Sequence, residues 1–218
     1  MRQPSKTSLF AAAKRWDAAT VASILAQAPE LANASDPKGR TALHLACGIA
    51  PGGAQLAESH GLETVAALLA AGCELEREVP MDEDEDDFRA TPLWYAVARG
   101  ENLPLVTFLV ARGANASYSL WAAVWRDDEA MCRVLLGAKP ELNPRAHGET
   151  PIFYAARLQR LKTLQLLIDA GADAAIADPK GRNALDIARA RRLPAPLVSR
   201  LEALVDSATS HSTARSAS

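Results

Sequence analysis

An all-α solenoid, built from helix–turn–helix units stacked in a single row, is the fold class this sequence predicts. Three observations predict it: a short motif that recurs five times, a second motif that follows it in register, and helices too short to be stable alone. The first motif reads Thr41-Ala-Leu-His-Leu-Ala46, Thr91-Pro-Leu-Trp-Tyr-Ala96, a degraded Tyr118-Ser-Leu-Trp-Ala-Ala123, Thr150-Pro-Ile-Phe-Tyr-Ala155 and Asn183-Ala-Leu-Asp-Ile-Ala188. The second is an apolar helix running into Gly-Ala or something close to it, at Val65 to Gly72, Val106 to Gly113, Met131 to Lys139 and Leu164 to Gly171.

Each motif has a physical reading. Thr91 and Thr150 are good N-caps, and Pro92 and Pro151 stand at the first helical position, where a missing amide donor costs nothing. Leu93 and Ala96, or Ile152 and Ala155, fall three apart on one face, the spacing for packing on a neighbouring helix. Gly72, Gly113 and Gly171 end the second helices, as glycine in the left-handed region does. At the N-terminus, Leu9 to Lys14 forms a first helix, Asp17 opens the next, and Val21 to Ala26 supplies its apolar face. At the other end, a last motif at 181–188 leads to a second helix over Pro196 to Val205. The Ser/Ala/Thr-rich stretch 207–218 is too weakly hydrophobic to order itself. The expected organisation is one domain over 1–206, with units at 5–35, 36–77, 78–116, 117–143, 144–176 and 177–206, and a disordered tail at 207–218.

Both motifs, recurring in register over most of the chain, resemble the Thr-Pro-Leu-His-x-Ala signature and the period of about 33 residues of ankyrin repeats. The equivalent apolar residues Leu9, Leu43, Leu93, Leu120, Ile152 and Leu185 are spaced by 34, 50, 27, 32 and 33 residues. The 50-residue interval holds two insertions. One, around Ile49 to Ser59, contains Pro51-Gly-Gly53 and lengthens the turn between two helices. The other lengthens the finger that resembles the ankyrin β-turn with six consecutive carboxylates, Asp82, Glu83, Asp84, Glu85, Asp86 and Asp87, followed by Phe88. Mutual repulsion is expected to keep this strip solvated, or available to a basic partner. It lacks the sixth-position glycine and the twelfth-position glutamate of a calcium loop. The 27-residue interval means that the finger before Tyr118 is truncated, and most aromatics of the chain gather around that repeat: Trp94, Tyr95, Tyr118, Trp121, Trp125, Phe153 and Tyr154.

Because ankyrin partners are usually held by finger tips and by the last exposed turn of the first helices, the resemblance implies a candidate surface on the concave side. By position it comprises Lys14/Arg15, Gly48/Ile49, Ala98/Arg99, Trp125/Arg126, Arg157/Leu158 and Ala190/Arg191, with His147 at a finger tip and Phe88 beside the acidic strip as further candidate contact residues. The helix dipole accounts for arginines in last turns. It does not account for Trp125, and an aromatic beside arginine is the composition of interface hot spots. Trp125 with Arg99, Arg126 and Arg157 is therefore expected to anchor an acidic or carboxylate-bearing segment of a protein partner. Trp94, Trp121 and Phe153, at the position His44 holds in the first full repeat, are expected in the core.

Composition narrows the function classes. Hydrophobic residues make up 49% and charged residues 23%, with a formal net charge of -2, so no global basic excess points to nucleic acid. The apolar stretch Leu9 to Ala13 meets Lys14 and Arg15 before reaching signal-peptide length, and no segment has the roughly 18 apolar residues of a spanning helix; the expectation is a soluble, cytoplasmic monomer. Cys47, Cys73 and Cys132 are odd in number and widely spaced, which fits buried thiols better than a disulfide framework or zinc site. His44, His60, His147 and His211 are too dispersed for one site, and no nucleophile triad, phosphate loop or metalloprotease helix appears. Asn33-Ala-Ser35 and Asn115-Ala-Ser117 match the glycosylation triplet by accident if no signal peptide is present. No catalytic residue, metal or cofactor is assigned. The expected function is an adaptor or inhibitor binding a protein partner; the alternative is a regulatory or secreted effector acting on a host or foreign protein, and an enzyme with an unrecognised site stands last.

Overall fold

The computed structural model describes residues 3–52, 57–80 and 89–215. The chain forms two compact units, Met1–Ser119 and Leu120–Ser218. The acidic strip 82–87 and Phe88, singled out in the sequence, lie outside the described residues.

In the first unit, α1 (Lys6–Lys14) pairs with α2 (Ala18–Gln27) and α3 (Ala42–Cys47) with α4 (Glu58–Ala70). A short α5 (Pro92–Tyr95) continues into a π-helical turn, Ala96–Gly100, and meets α6 (Leu103–Ala111). The first helices form one layer, α1 on α3 and α3 on α5; the second helices form another, α2 on α4 and α4 on α6. Leu9, Leu43 and Leu93 are fully buried in the first layer and Val21, Leu68 and Leu109 in the second, so each short helix is held by its neighbours' apolar side chains. One finger is a short antiparallel hairpin of β1 (Val79–Pro80) and β2 (Arg89–Ala90), with Val79 opposite Ala90.

The second unit repeats the scheme with α7 (Ser119–Arg126), α8 (Glu129–Gly137), α9 (Pro151–Arg157), α10 (Leu161–Asp169), α11 (Ala184–Ala190) and α12 (Ala195–Arg215). Its core joins Val124, Ile152, Phe153, Leu164, Leu167, Leu185, Leu197 and Leu201. Where the sequence predicts disorder from residue 207, α12 runs on to Arg215. No glycine or proline interrupts the chain between Leu197 and Arg215, and the alanines there keep helix propensity high enough to carry the turns onward.

Local chemistry explains the helix boundaries. Three second helices open on a carboxylate or amide, Asp17 accepting from Thr20 N at 3.0 Å, Asn102 from Leu105 N at 3.0 Å and Asp128 from Met131 N at 2.9 Å, whereas α4 and α10 open on Ala57 and Arg160 without a side-chain cap. Among the first helices, Thr91 accepts from Trp94 N at 3.3 Å, whereas Thr150 makes no such bond and its hydroxyl is buried without a partner. Second helices close on residues with positive φ, Gly72, Gly113 and Gly171, with Lys139 (φ 54) taking the glycine's place after α8. Passage from first to second helix also runs through the left-handed region, at Trp16, Glu101, Asp127, Gln159 and Arg192, with φ between 47 and 56. None of these is glycine, so the turn carries backbone strain that surrounding packing must offset. At Asp127 the carboxylate compensates, accepting from Thr163 N at 3.0 Å and Thr163 Oγ1 at 3.1 Å.

His44 ties its repeat to the next finger. Its Nδ1 accepts from Thr41 N at 3.2 Å, which puts the ring proton on Nε2, and Nε2 donates to Arg77 O at 2.9 Å. Burial, the largest cause, lowers its pKa to about 4. Between that value and the unfolded value near 6.5, the unfolded chain binds a proton that the folded chain refuses. Stability from this site is therefore complete above about pH 6.5 and falls as pH drops, by roughly 3 kcal/mol at pH 4. Urea unfolding from pH 7.5 down to 4.5 should show this fall, and His44→Gln should flatten it; a variant with the wild-type pH slope would refute the assignment. A second expectation concerns Gly100, where an added Cβ would stand 2.5 Å from the carbonyl oxygen of Cys47. Gly100→Ala forces two backbone segments apart and should cost about 1–3 kcal/mol in the same assay.

Candidate functional site

The residues singled out by sequence fall into both units. In the second, the end of α7 presents Trp125, the most exposed large hydrophobic residue described, at 57% of its full accessibility. Its ring stacks on Tyr154 of α9, with centroids 6.4 Å apart and planes inclined by 23°. Trp121, one turn earlier and buried, leans on the same tyrosine at 4.9 Å. The Arg157 guanidinium lies 4.9 Å from the Tyr154 centroid, and it donates to Glu149 with Nε–Oε1 at 2.9 Å and Nη2–Oε2 at 3.0 Å. Burial pushes the Tyr154 hydroxyl above its usual pKa. The result is a layered patch of Trp125, Tyr154 and Arg157, its cation already matched by Glu149.

Arg126 and Leu158 flank this patch, Arg126 exposed and Leu158 half-buried. His147 is exposed at the tip of a tight turn between Ala146 and Glu149, with φ 52 at His147 and 73 at Gly148. Two successive positive φ values define the mirror-image hairpin turn, and Gly148 also passes close to Pro179, which an added Cβ would approach to 2.6 Å. As expected from their motif position, Trp94, Trp121 and Phe153 are buried.

Arg99 belongs to the first unit, where it borders a second feature that sequence reading identified only in part. A cavity of about 440 Å³ opens there between the first helices and the fingers. Its rim carries Lys14 from α1, Lys38 and Arg40 from the finger preceding α3, and Arg99 from the π-helical turn, and Tyr95 forms part of its wall. Gly48, ending α3, lets the Tyr95 ring come close; a Cβ there would sit 3.2 Å from Tyr95 Cδ1. His44 meets Tyr95 edge-on with centroids 5.4 Å apart. Arg40 is paired to Asp36 at 2.7 Å, the bond that chiefly raises its pKa. No ion pair among the described residues engages Lys14, Lys38 or Arg99.

Lys38 and Arg40 were not picked out from the sequence, although a signal existed. The pentapeptide Asp-Pro-Lys-Gly-Arg occurs at 36–40 and again at 178–182. In both copies the aspartate accepts from the backbone N–H groups two and four residues on, and its other oxygen takes the arginine side chain. The turn is thus built by its own ion pair, with the lysine projecting beside it.

The cysteines are buried and reduced, and burial raises the Cys73 and Cys132 thiols to about 12. Among the described residues no cluster of three or more histidines, cysteines and carboxylates is placed to hold a metal, and no helix is long and apolar enough to cross a membrane.

Stacked helix pairs joined by fingers, with side chains presented from first-helix ends and finger tips, define a helical repeat protein. Residues 119–195 match the family model of ankyrin repeats in three copies. The crystal structure of EF0377, an ankyrin repeat protein, superposes with a TM-score of 0.67 at 20% identity, covering 91% of this chain and 98% of that one. An ankyrin repeat domain from Acinetobacter baumannii AYE gives a TM-score of 0.69 at 23% identity, covering 94% of this chain and 99% of that one. The fold is that of ankyrin-repeat proteins.

The patch is surface rather than core, and this has a measurable consequence. Trp125→Ala should cost at most about 1 kcal/mol of stability, the worth of one aromatic stack. Phe153→Ala, emptying a buried site in the same unit, should cost about 3–5 kcal/mol. Urea denaturation of the two variants distinguishes them; equal losses would mean that Trp125 is a structural residue.

Proposed function

We propose that this chain works by binding another protein, as an adaptor or inhibitor, and that the Trp125 patch is one of its contact surfaces. Ankyrin repeats are in general protein–protein interaction modules, which supplies the class of activity. The observation that carries the local assignment is an indole more than half exposed yet stacked against Tyr154. An exposed indole in water gains little for the fold. Pre-ordered on a neighbouring ring, it loses little rotamer freedom when a partner covers it.

Arg126, Arg157, Leu158 and His147 complete the proposed contact, with Arg157 in a role that follows from its geometry. Paired with Glu149, it offers a neutral, fixed edge rather than a free cation, so the second unit contributes apolar area and shape. Arg99, in the first unit, is proposed as a separate charged contact residue. Binding rather than catalysis, by a cytoplasmic monomer, is the mode of action proposed.

The test is affinity capture with the intact chain as bait and identification of what it retains, repeated with the Trp125→Ala/Arg126→Ala double variant. The expected outcome is a specific protein partner retained by the wild type and lost, by roughly tenfold or more in affinity, from the variant at unchanged helical circular dichroism. Retention by both baits would remove the patch from the interface, and no specific partner would count against the binding role itself.

A further inference from the structure

We infer that the cavity of the first unit receives an acidic segment of the partner protein, a run of carboxylates in extended chain; this rests on the protein-binding reading above and assigns its charged component. Four cations stand on one rim, and only Arg40 has its charge matched, by Asp36. Lys14, Lys38 and Arg99 make no ion pair with any described carboxylate. Like charges gathered around a recess repel one another; the helix dipole favours a cation at Lys14 and at Arg99, each in a last helical turn, but does not account for Lys38 on the finger beside them. Their shared potential is complementary to a negatively charged ligand and focused by the low-dielectric walls of the cavity.

The spacing of the cations selects the kind of anion. Lys14 ends α1 and Arg99 lies beyond α5, and α3 packs between these two helices. Adjacent packed helices are separated by about 8–10 Å, so the two cations are rooted two such steps apart, roughly 16–20 Å. That is several times the width of a single phosphate or carboxylate. An extended peptide rises about 3.3 Å per residue, so five or six residues cover the distance and can set a carboxylate near each cation in turn. Tyr95, half-buried between them, offers a ring face and a hydroxyl on which the chain can lie. A nucleic acid is the competing occupant of a cationic, aromatic-walled recess. It is disfavoured because the chain's net charge is -2 and, of the two tryptophan and tyrosine rings lining the cavity, Trp94 is buried and lies edge-on to Tyr95, which leaves no series of parallel exposed rings for successive bases among the described residues.

The experiment uses the full chain and a fluorescein-labelled octapeptide of alternating glutamate and aspartate, followed by fluorescence anisotropy. An octapeptide of alternating glutamine and serine and an eight-nucleotide single-stranded RNA serve as comparisons. The acidic peptide should bind, weaken as salt rises from about 50 to 300 mM, and lose roughly tenfold or more in affinity with Lys14→Glu/Arg99→Glu. Both side chains are exposed, so folding should be preserved, and Lys14→Arg/Arg99→Lys should retain binding. No binding of the acidic peptide, equal binding by the charge-reversed variant, or tighter binding of the RNA would each overturn the assignment. Should the peptide fail while a captured partner still depends on Trp125, the protein-binding reading stands and only this pocket assignment falls.

Discussion

Every helix pair in this protein depends on burial by its neighbours. The first helices run from four to nine residues, below the length at which a helix persists in water, so their stability comes from outside themselves. Leu9, Leu43 and Leu93 in the first unit, and Leu120 and Ile152 in the second, are each wholly buried at the same motif position. Because that position is filled by packing on both sides, the apolar stripe is fixed and variation is pushed to helix ends and finger tips. The candidate contact residues sit there for that reason: positions that carry no core are the positions free to carry chemistry.

The same constraint explains which parts of the molecule could be read from the amino-acid sequence. A repeated apolar position and its flanking caps are local and periodic, so helix starts at Asp17, Thr91 and Pro151 and stops at Gly72, Gly113 and Gly171 are legible directly. The turns between first and second helices are less so, because Trp16, Glu101, Asp127, Gln159 and Arg192 adopt a backbone conformation that their side chains do not favour. Tertiary packing overrides propensity there, and at Asp127 the compensating bond comes from Thr163, thirty-six residues away. The extension of α12 to Arg215 failed in the other direction: low hydrophobicity argues against a core, but it does not forbid a helix that is already started.

Site residues were legible as exposure and illegible as partnership. Position in the repeat was enough to mark Trp125, Arg99 and Arg157 as surface. It could not indicate that Glu149, eight residues before Arg157, neutralises that arginine, because the pairing depends on how a finger folds back toward a helix end. Nor did it reveal that Lys38 and Arg40 join Lys14 and Arg99, because that grouping depends on how a finger folds beside the helix ends. The repeated Asp-Pro-Lys-Gly-Arg turn shows how such a residue is concealed. Asp36 and Arg40 spend their charges on each other to form the turn, and the lysine between them is the one left to act at a distance.

The two candidate surfaces therefore differ in physical character, and the difference has consequences for how a partner would be met. Around Trp125 the cation is quenched and the rings are stacked, so contact there acts at short range and resists salt. Around Tyr95 three of the four cations, Lys14, Lys38 and Arg99, make no ion pair with a described carboxylate, so their field reaches outward by roughly a Debye length, about 8 Å at physiological ionic strength. In general, unmatched surface charge raises the rate of encounter and apolar contact area lowers the rate of departure. Neither surface could exchange roles with the other: removing Glu149 would leave Arg157 a free cation over its ring, and placing a carboxylate beside Lys14 or Arg99 would cancel the potential that distinguishes the cavity.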